Sequence, residues 1–236
     1  MWTQARTARN LYASRLRAVA RQVGVLVKGL SPTGDPADAP KIGAALRSYA
    51  QTIRPWAESV AQFMVADVYR RDHAMWRKNS AEIGKGLRRE LEQAPTGTIL
   101  ARLQSEQVEL IQSIPLAAAQ RVHHLAQEAL FDGTRASEVA KKILDTEGVS
   151  LSKATLIART EVARASSNLV QARSQYAGSI GYVWRTSDDG DVRESHARME
   201  GQYVRWSSPP TLDKMTGHAG TLPNCRCFAE PIFPDD

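Results

Sequence analysis

Two stretches of the chain repeat apolar residues at alternating steps of four and three, a spacing that only an α-helix gathers onto one side. In the first, Tyr12, Leu16, Val19, Val23, Leu26 and Leu30 form the stripe, while Arg6, Arg17, Arg21 and Lys28 fall on the opposite side. No acid occurs before Asp35, so this helix has a purely cationic wet face. In the second, Ala158, Val162, Ala165, Leu169, Ala172 and Tyr176 keep the same rhythm with small residues that permit close packing. Ser150 or Ser152 is expected to open that helix and Gly178 to stop it. A chain of 236 residues, 42% hydrophobic and 24% charged, then has the core-forming capacity of one or two mainly helical domains.

Between the stripes, residues 31–40 hold three prolines and a glycine, which predicts a linker or exposed loop. The helical period returns over 41–93 with Leu46, Ile53, Val60, Phe63, Val68 and Trp76; Pro55 should kink or restart a helix there, and Gly84 and Gly86 should weaken one. Trp56, Tyr69 and Trp76 lie among Arg54, Arg70, Arg71, Arg77 and Lys78, a mixture that suits either nucleic-acid contact or core aromatics beside surface arginines. Pro95-Thr96-Gly97 reads as a turn, followed by one helix up to Pro115 and a second from Pro115 to about Gly133. A short helix from Arg135 to Leu144 is expected to close at Gly148.

After Gly178 the texture changes. Ile180 to Thr186, Tyr203 to Trp206 and Cys225 to Phe233 have the aromatic and β-branched content of strands, with Asp188-Asp189-Gly190 as a turn and 207–224 as a long loop. The predicted fold class is therefore mainly α, a helical N-terminal region followed by a small C-terminal α+β unit from about residue 180. Charge divides the chain as well. Residues 1–90 carry 16 basic and 7 acidic side chains, and 91–236 carry 15 and 18. We expect a basic helical docking region over 1–94 (helix 1–30, linker 31–40, helices 41–93) and a second domain over 95–236. The cationic helix suits a protein surface, nucleic acid or an anionic membrane, and charge alone does not choose among them. The apolar runs are too short for a membrane span, and the N-terminus lacks the apolar segment of a secretory signal, so an intracellular product is expected.

The chemistry-bearing residues concentrate near the end. Cys225 and Cys227 alternate, which on extended backbone puts both thiols on one face and Arg226 on the other. Their Cα atoms would stand near the upper limit for a disulfide, leaving metal binding or two free thiols. His196 and His218 lie in the same small unit, and a Cys225, Cys227, His196, His218 set suits tetrahedral zinc. On the long helix, Glu161, Arg164 and Asn168 are spaced so that each reaches the next, the mark of a polar network. No phosphate loop, nucleophile elbow or zinc-protease helix motif occurs, and no catalytic residue is assigned.

In sequence order, Leu156-Ile-Ala-Arg-Thr-Glu161, Asn168, Tyr176, Gly181 to Trp184, Asp188-Asp189, Val192-Arg193, His196, Gly201 and Pro223-Asn-Cys-Arg-Cys227 resemble the phage Mu F-like head morphogenesis family, with which the SPP1 minor head proteins are grouped. The resemblance spans about residues 95–233. It implies a minor head protein in few copies that associates with the portal during procapsid assembly and acts in DNA packaging or ejection; the partners expected are the portal protein, other head proteins and, through the basic helices, DNA. It implies no small-molecule substrate and no membrane, and a place inside the virion head near the portal after assembly in the host cytoplasm. The family's shared polar set falls on Arg159, Thr160, Glu161, Asn168, Asp189, Arg193, His196, Cys225 and Cys227. Where many relatives have a His ahead of the Pro-Asn-Cys-Arg-Cys run this chain has Leu222, so His218 would have to replace it. Some relatives extend into toxin domains, whereas nine residues follow Cys227 here and no appended enzyme is expected. The competing expectations are a metal-dependent nuclease using His196 and nearby Asp residues, and a plain nucleic-acid-binding module.

Overall fold

The computed structural model of the chain describes residues 6–79, 93–131 and 136–233. Helices account for most of them: α1 (Arg6–Leu30), α2 (Ala39–Thr52), α3 (Arg54–Asn79), α4 (Gly97–Phe131), α5 (Ala136–Leu144) and α6 (Thr146–Tyr176). Then follow β1 (Gly181–Arg185), the short α7 (Glu194–Ala197), β2 (Tyr203–Arg205), β3 (Thr211–Leu212), β4 (Met215–Thr216) and β5 (Phe228–Ile232). The fold is mainly α with a small α+β C-terminal part, as the sequence predicts. Packing divides the chain into two compact units, one of residues 1–9, 62–104 and 159–236 and the other of 10–61 and 105–158. The division expected at residue 94 is therefore not the one the packing follows, because helices drawn from residues 1–94 enter both units.

In the unit of residues 10–61 and 105–158, α1 buries Tyr12, Leu16, Val19 and Val23 as the stripe requires, and Val27 joins them. Val23, Val27, Ile42, Leu46, Val122 and Ile143 meet in one core contributed by α1, α2, α4 and α5. The predicted linker is more ordered than its prolines suggest. Asp35 accepts the Ala37 N–H at 2.9 Å and starts a 3-10 turn over Pro36–Asp38, and α2 begins at Ala39 with a proline in its first turn, where no backbone donor is lost. Pro55 likewise sits in the first turn of α3, so it restarts a helix rather than kinking one.

Two breaks read from the sequence do not occur. Pro115 lies inside α4, which runs unbroken from Gly97 to Phe131. Ile111, Ile114, Ala118 and Val122 are all buried, so the apolar face is continuous across the proline and outweighs its cost of ~3 kcal/mol. Gly148 does not separate two helices either. The Asp145 carbonyl accepts the Val149 N–H at 3.3 Å, so α6 is already turning when it passes the glycine, two residues ahead of the expected serine cap. Gly84, Gly86, Gly133 and Arg135 lie outside the described residues.

The other unit carries the sheet. α6 ends in a Schellman motif: Gly178 has φ +86°, its N–H bonds the Gln175 carbonyl at 3.1 Å, and the Ser179 N–H bonds the Ser174 carbonyl at 2.8 Å. The chain then enters β1, the middle strand of an antiparallel sheet ordered β2-β1-β5, with Val183 opposite Tyr203 on one side and Glu230 on the other. Alternation along β1 sends Tyr182 and Trp184 into a core with Val204, Trp206, Leu222 and Ala229. Within the long loop, β3 and β4 form a hairpin through Asp213 and Lys214, both at positive φ as a two-residue turn demands. Trp76 of α3 joins the same core, edge-on to Phe233, and Arg70 and Arg71 both pair with Asp67. The aromatic and basic mixture thus resolves, at these residues, into core aromatics beside surface ion pairs. Asp72 and Arg173 join α3 to α6 by an ion pair of 2.7 Å whose side chains are 0% and 1% exposed, with the guanidinium also 5.3 Å from the Tyr69 ring centroid. Burial pushes the Asp72 carboxyl up to about 6 even though Arg173 pulls it down.

Candidate metal centre

His196 reaches the interior because α7, a single turn after the 186–193 excursion, is anchored at Arg193, whose carbonyl accepts the His196 N–H at 3.0 Å. Trp184 stands edge-on to the imidazole at 5.7 Å between ring centroids and fixes its plane. Cys225 follows Asn224, which adopts φ +55° and lets the Cys225 N–H close back on the Leu222 carbonyl at 3.0 Å. Pairing with β1 begins only at Phe228; the strand is shorter than the sequence suggests because the cysteine pair runs ahead of the ladder.

The three side chains converge. His196 Nδ1 lies 3.4 Å from Cys225 Sγ and 3.6 Å from Cys227 Sγ, and the three donor atoms all fall within 4.8 Å of one another. All three residues are buried and both thiols are free of disulfides. The Gly220 N–H points at Cys225 Sγ from 3.3 Å. A hydrogen bond from the Cys227 thiol, the backbone N–H groups of Cys227 and Gly220, and the neighbouring His196 together hold the Cys225 thiol down to about 5 against the effect of burial. The hydrogen bond to Cys225 and burial push Cys227 the other way. A bound dication would offset the charge of two thiolates side by side. Sulfur and imidazole donors at this spacing suit a soft divalent metal.

His218 is not one of the donors. Its Nδ1 is 3.2 Å from the Tyr182 hydroxyl, and its ring packs edge-on against Tyr182 and Trp206, so an aromatic pocket takes the side chain that the sequence assigned to the metal. The hydroxyl receives the Ala219 N–H at 3.2 Å, which leaves its own proton for the imidazole. Nor do the nearby acids face the thiols: Asp189 and Asp191 both accept from the Arg226 guanidinium, at 2.8 and 2.6 Å.

The polar set read from the sequence is in good part a set of ties on the loop that presents the cysteines. Thr160 Oγ1 accepts the Asn224 N–H at 3.1 Å and Arg193 donates to the Pro223 carbonyl at 2.8 Å. Glu161 pairs with Arg164 at 2.9 Å, and Arg159 and Asn168 sit half-buried on the same helix. Two members escaped sequence reading. Ser167 donates to the Ala219 carbonyl at 2.9 Å, and Gly220, at φ +82°, packs so closely that a Cβ would collide with Ser167 Oγ. Of the cationic residues on α1, Arg21 is exposed and Arg17 half-buried, Lys28 is paired with Glu147 at 2.8 Å, and the Arg6 side chain lies outside the described residues. Lys28 is thus a partner of α6 before it is a docking residue.

Residues 120–230 match the family model described as Phage Mu protein F like protein. The match takes in just under half of the chain. An uncharacterized protein of Haemophilus influenzae strain Rd is 32% identical over 129 residues, 55% of this chain, which in turn spans 28% of that protein's length. No solved structure matches the chain. The Mu F-like segment contains the three candidate donors and the ties from Thr160, Ser167 and Arg193, whereas α1, α2 and α3 precede it. Among the described residues no helix is long and apolar enough to cross a membrane.

Proposed function

We propose that this chain is a minor head protein of a tailed phage that acts in head morphogenesis, bound to the portal and to other head proteins, with packaged DNA as a second contact. The single observation that carries the reading is the Mu F-like match over residues 120–230. The work is assembly rather than catalysis, done in the host cytoplasm and then inside the head near the portal. A compact C-terminal unit serves as scaffold, with zinc as its cofactor, and the basic face of α1, where Arg21 is exposed, does the docking. Contact with DNA through such a face neutralises phosphates, so it would be independent of sequence and would weaken steeply with salt.

Co-expression with the portal protein of the same phage, followed by size-exclusion chromatography, tests the reading. The two proteins should elute together, and Arg17→Glu with Arg21→Glu should separate them or abolish DNA binding at low salt while leaving the circular dichroism unchanged. Separate elution of the unaltered proteins would remove the portal from the account, and divalent-ion-dependent cleavage of DNA, lost in His196→Ala, would replace assembly with nuclease chemistry.

A further inference from the structure

We propose that His196 Nδ1, Cys225 Sγ and Cys227 Sγ hold one zinc ion, and that this ion is a structural staple fixing the cysteine loop, which already leans on α6, to the α7 turn that carries His196. The inference deepens the zinc assignment made above and stands or falls by a different measurement from the head-protein reading.

The first support is geometric. Zinc bonds of about 2.3 Å to sulfur and about 2.0–2.1 Å to nitrogen make the sulfur-to-nitrogen edge of a tetrahedron about 3.5 Å. The two edges observed are 3.4 and 3.6 Å. The three donors need no rearrangement of the backbone to share an ion, although they come from two segments separated by 29 and 31 residues. A second support is the way His196 is used. Its Nε2 is buried without a hydrogen-bond partner, so Nδ1, placed between the two sulfurs, is the nitrogen with a role. The surroundings are a third. Gly220 offers its N–H to Cys225 Sγ, and its missing side chain is what allows the loop to press against Ser167 and the Cys227 carbonyl at the same time. Backbone N–H groups aimed at a sulfur stabilise it as thiolate, the form that binds metal.

Among the described residues no fourth His, Cys, Asp or Glu joins the three. A solvent oxygen would then have to complete the tetrahedron, a ligand count that zinc enzymes also use. Burial decides for the staple: the donor residues are 1–3% exposed, which keeps an ion at this position away from any macromolecular substrate. The same burial argues against a bare Cys225 and His196 dyad acting as a nucleophile. What the ion would add is closure. The loop already leans on α6 through Thr160 and Ser167, and two metal-thiolate bonds convert those weak ties into a fixed turn.

The test uses the full chain purified from cells grown with zinc. Elemental analysis should find one zinc ion per chain, and replacement by cobalt should produce thiolate-to-metal charge-transfer absorption with the intensity of two sulfurs. Chelation should expose the 207–227 segment to a protease while α1 to α6 stay helical by circular dichroism. Cys225→Ser and His196→Ala should lose the metal, whereas His218→Gln should keep it, because that ring belongs to the Tyr182 pocket. If the variants fail to fold, the cobalt spectrum of the unaltered chain still decides. Substoichiometric zinc together with no cobalt-thiolate absorption would overturn the proposal, as would metal retained in Cys225→Ser. A chain that enters heads without zinc sinks this inference alone, and one that binds zinc but stays out of heads sinks the head-protein reading alone.

Discussion

Asp72→Ala should destabilise the protein by about 3–5 kcal/mol, the cost typical of stripping one partner from a buried ion pair. The Arg173 side chain is 1% exposed and its Nε is held by the Asp72 carboxylate at 2.7 Å, so removing the carboxylate takes its opposite charge from a buried cation. The pair is a matching device more than a source of net stability. Burial lifts the Asp72 carboxyl to about 6 in spite of the adjacent guanidinium, so lost hydration outweighs the attraction. A double replacement, Asp72→Leu with Arg173→Met, should therefore recover most of the loss. Denaturant unfolding followed by tryptophan fluorescence reads both numbers; a cost below about 1 kcal/mol for Asp72→Ala would mean that water reaches the guanidinium.

The second large effect is expected at Trp184. It is fully buried at the centre of the sheet, stacked on Tyr182 with 6.4 Å between ring centroids, and it walls one side of His196. Trp184→Ala should cost about 3–5 kcal/mol, since an aromatic side chain deleted from a packed core loses its transfer energy and leaves a cavity. The site should suffer with the core. The imidazole would lose the edge contact that sets its plane, so metal retention should fall more than it does in Trp184→Phe. Equal metal content in the two variants, at equal folded fraction, would show that the loop ties alone position His196.

What the sequence made legible follows from how local each interaction is. The α1 stripe is an interaction of a helix with itself and its nearest core, and Tyr12, Leu16, Val19 and Val23 are buried as read; Leu26 and Leu30 drift to the edge while Val27 takes their place, because 3.6 residues per turn does not keep step with a seven-residue repeat. The convergence of Cys225 and Cys227 is equally local, and His196, picked out by donor chemistry, lies beside both thiols. The breaks at Pro115 and Gly148 failed for the opposite reason: local propensity favoured them, and burial on both sides of Pro115 and the helical turn closed from Asp145 to Val149 across Gly148 overruled it. His218 was misassigned because nothing near it in sequence reveals that Tyr182, from β1, and Trp206, just past the end of β2, would enclose it. The Asp72 and Arg173 pair spans 101 residues, and Ser167 looked like any polar residue on a helix until Ala219 and Gly220 arrived beside it.

The central claim, that a Mu F-like unit makes this chain part of a phage head, is tested most directly by quantitative mass spectrometry of heads purified from the phage or induced prophage that encodes it. The account predicts its peptides in those heads at a small fraction of the major capsid protein, and retention of the chain when the tail is removed. Heads that form, package DNA and contain none of this chain would contradict it.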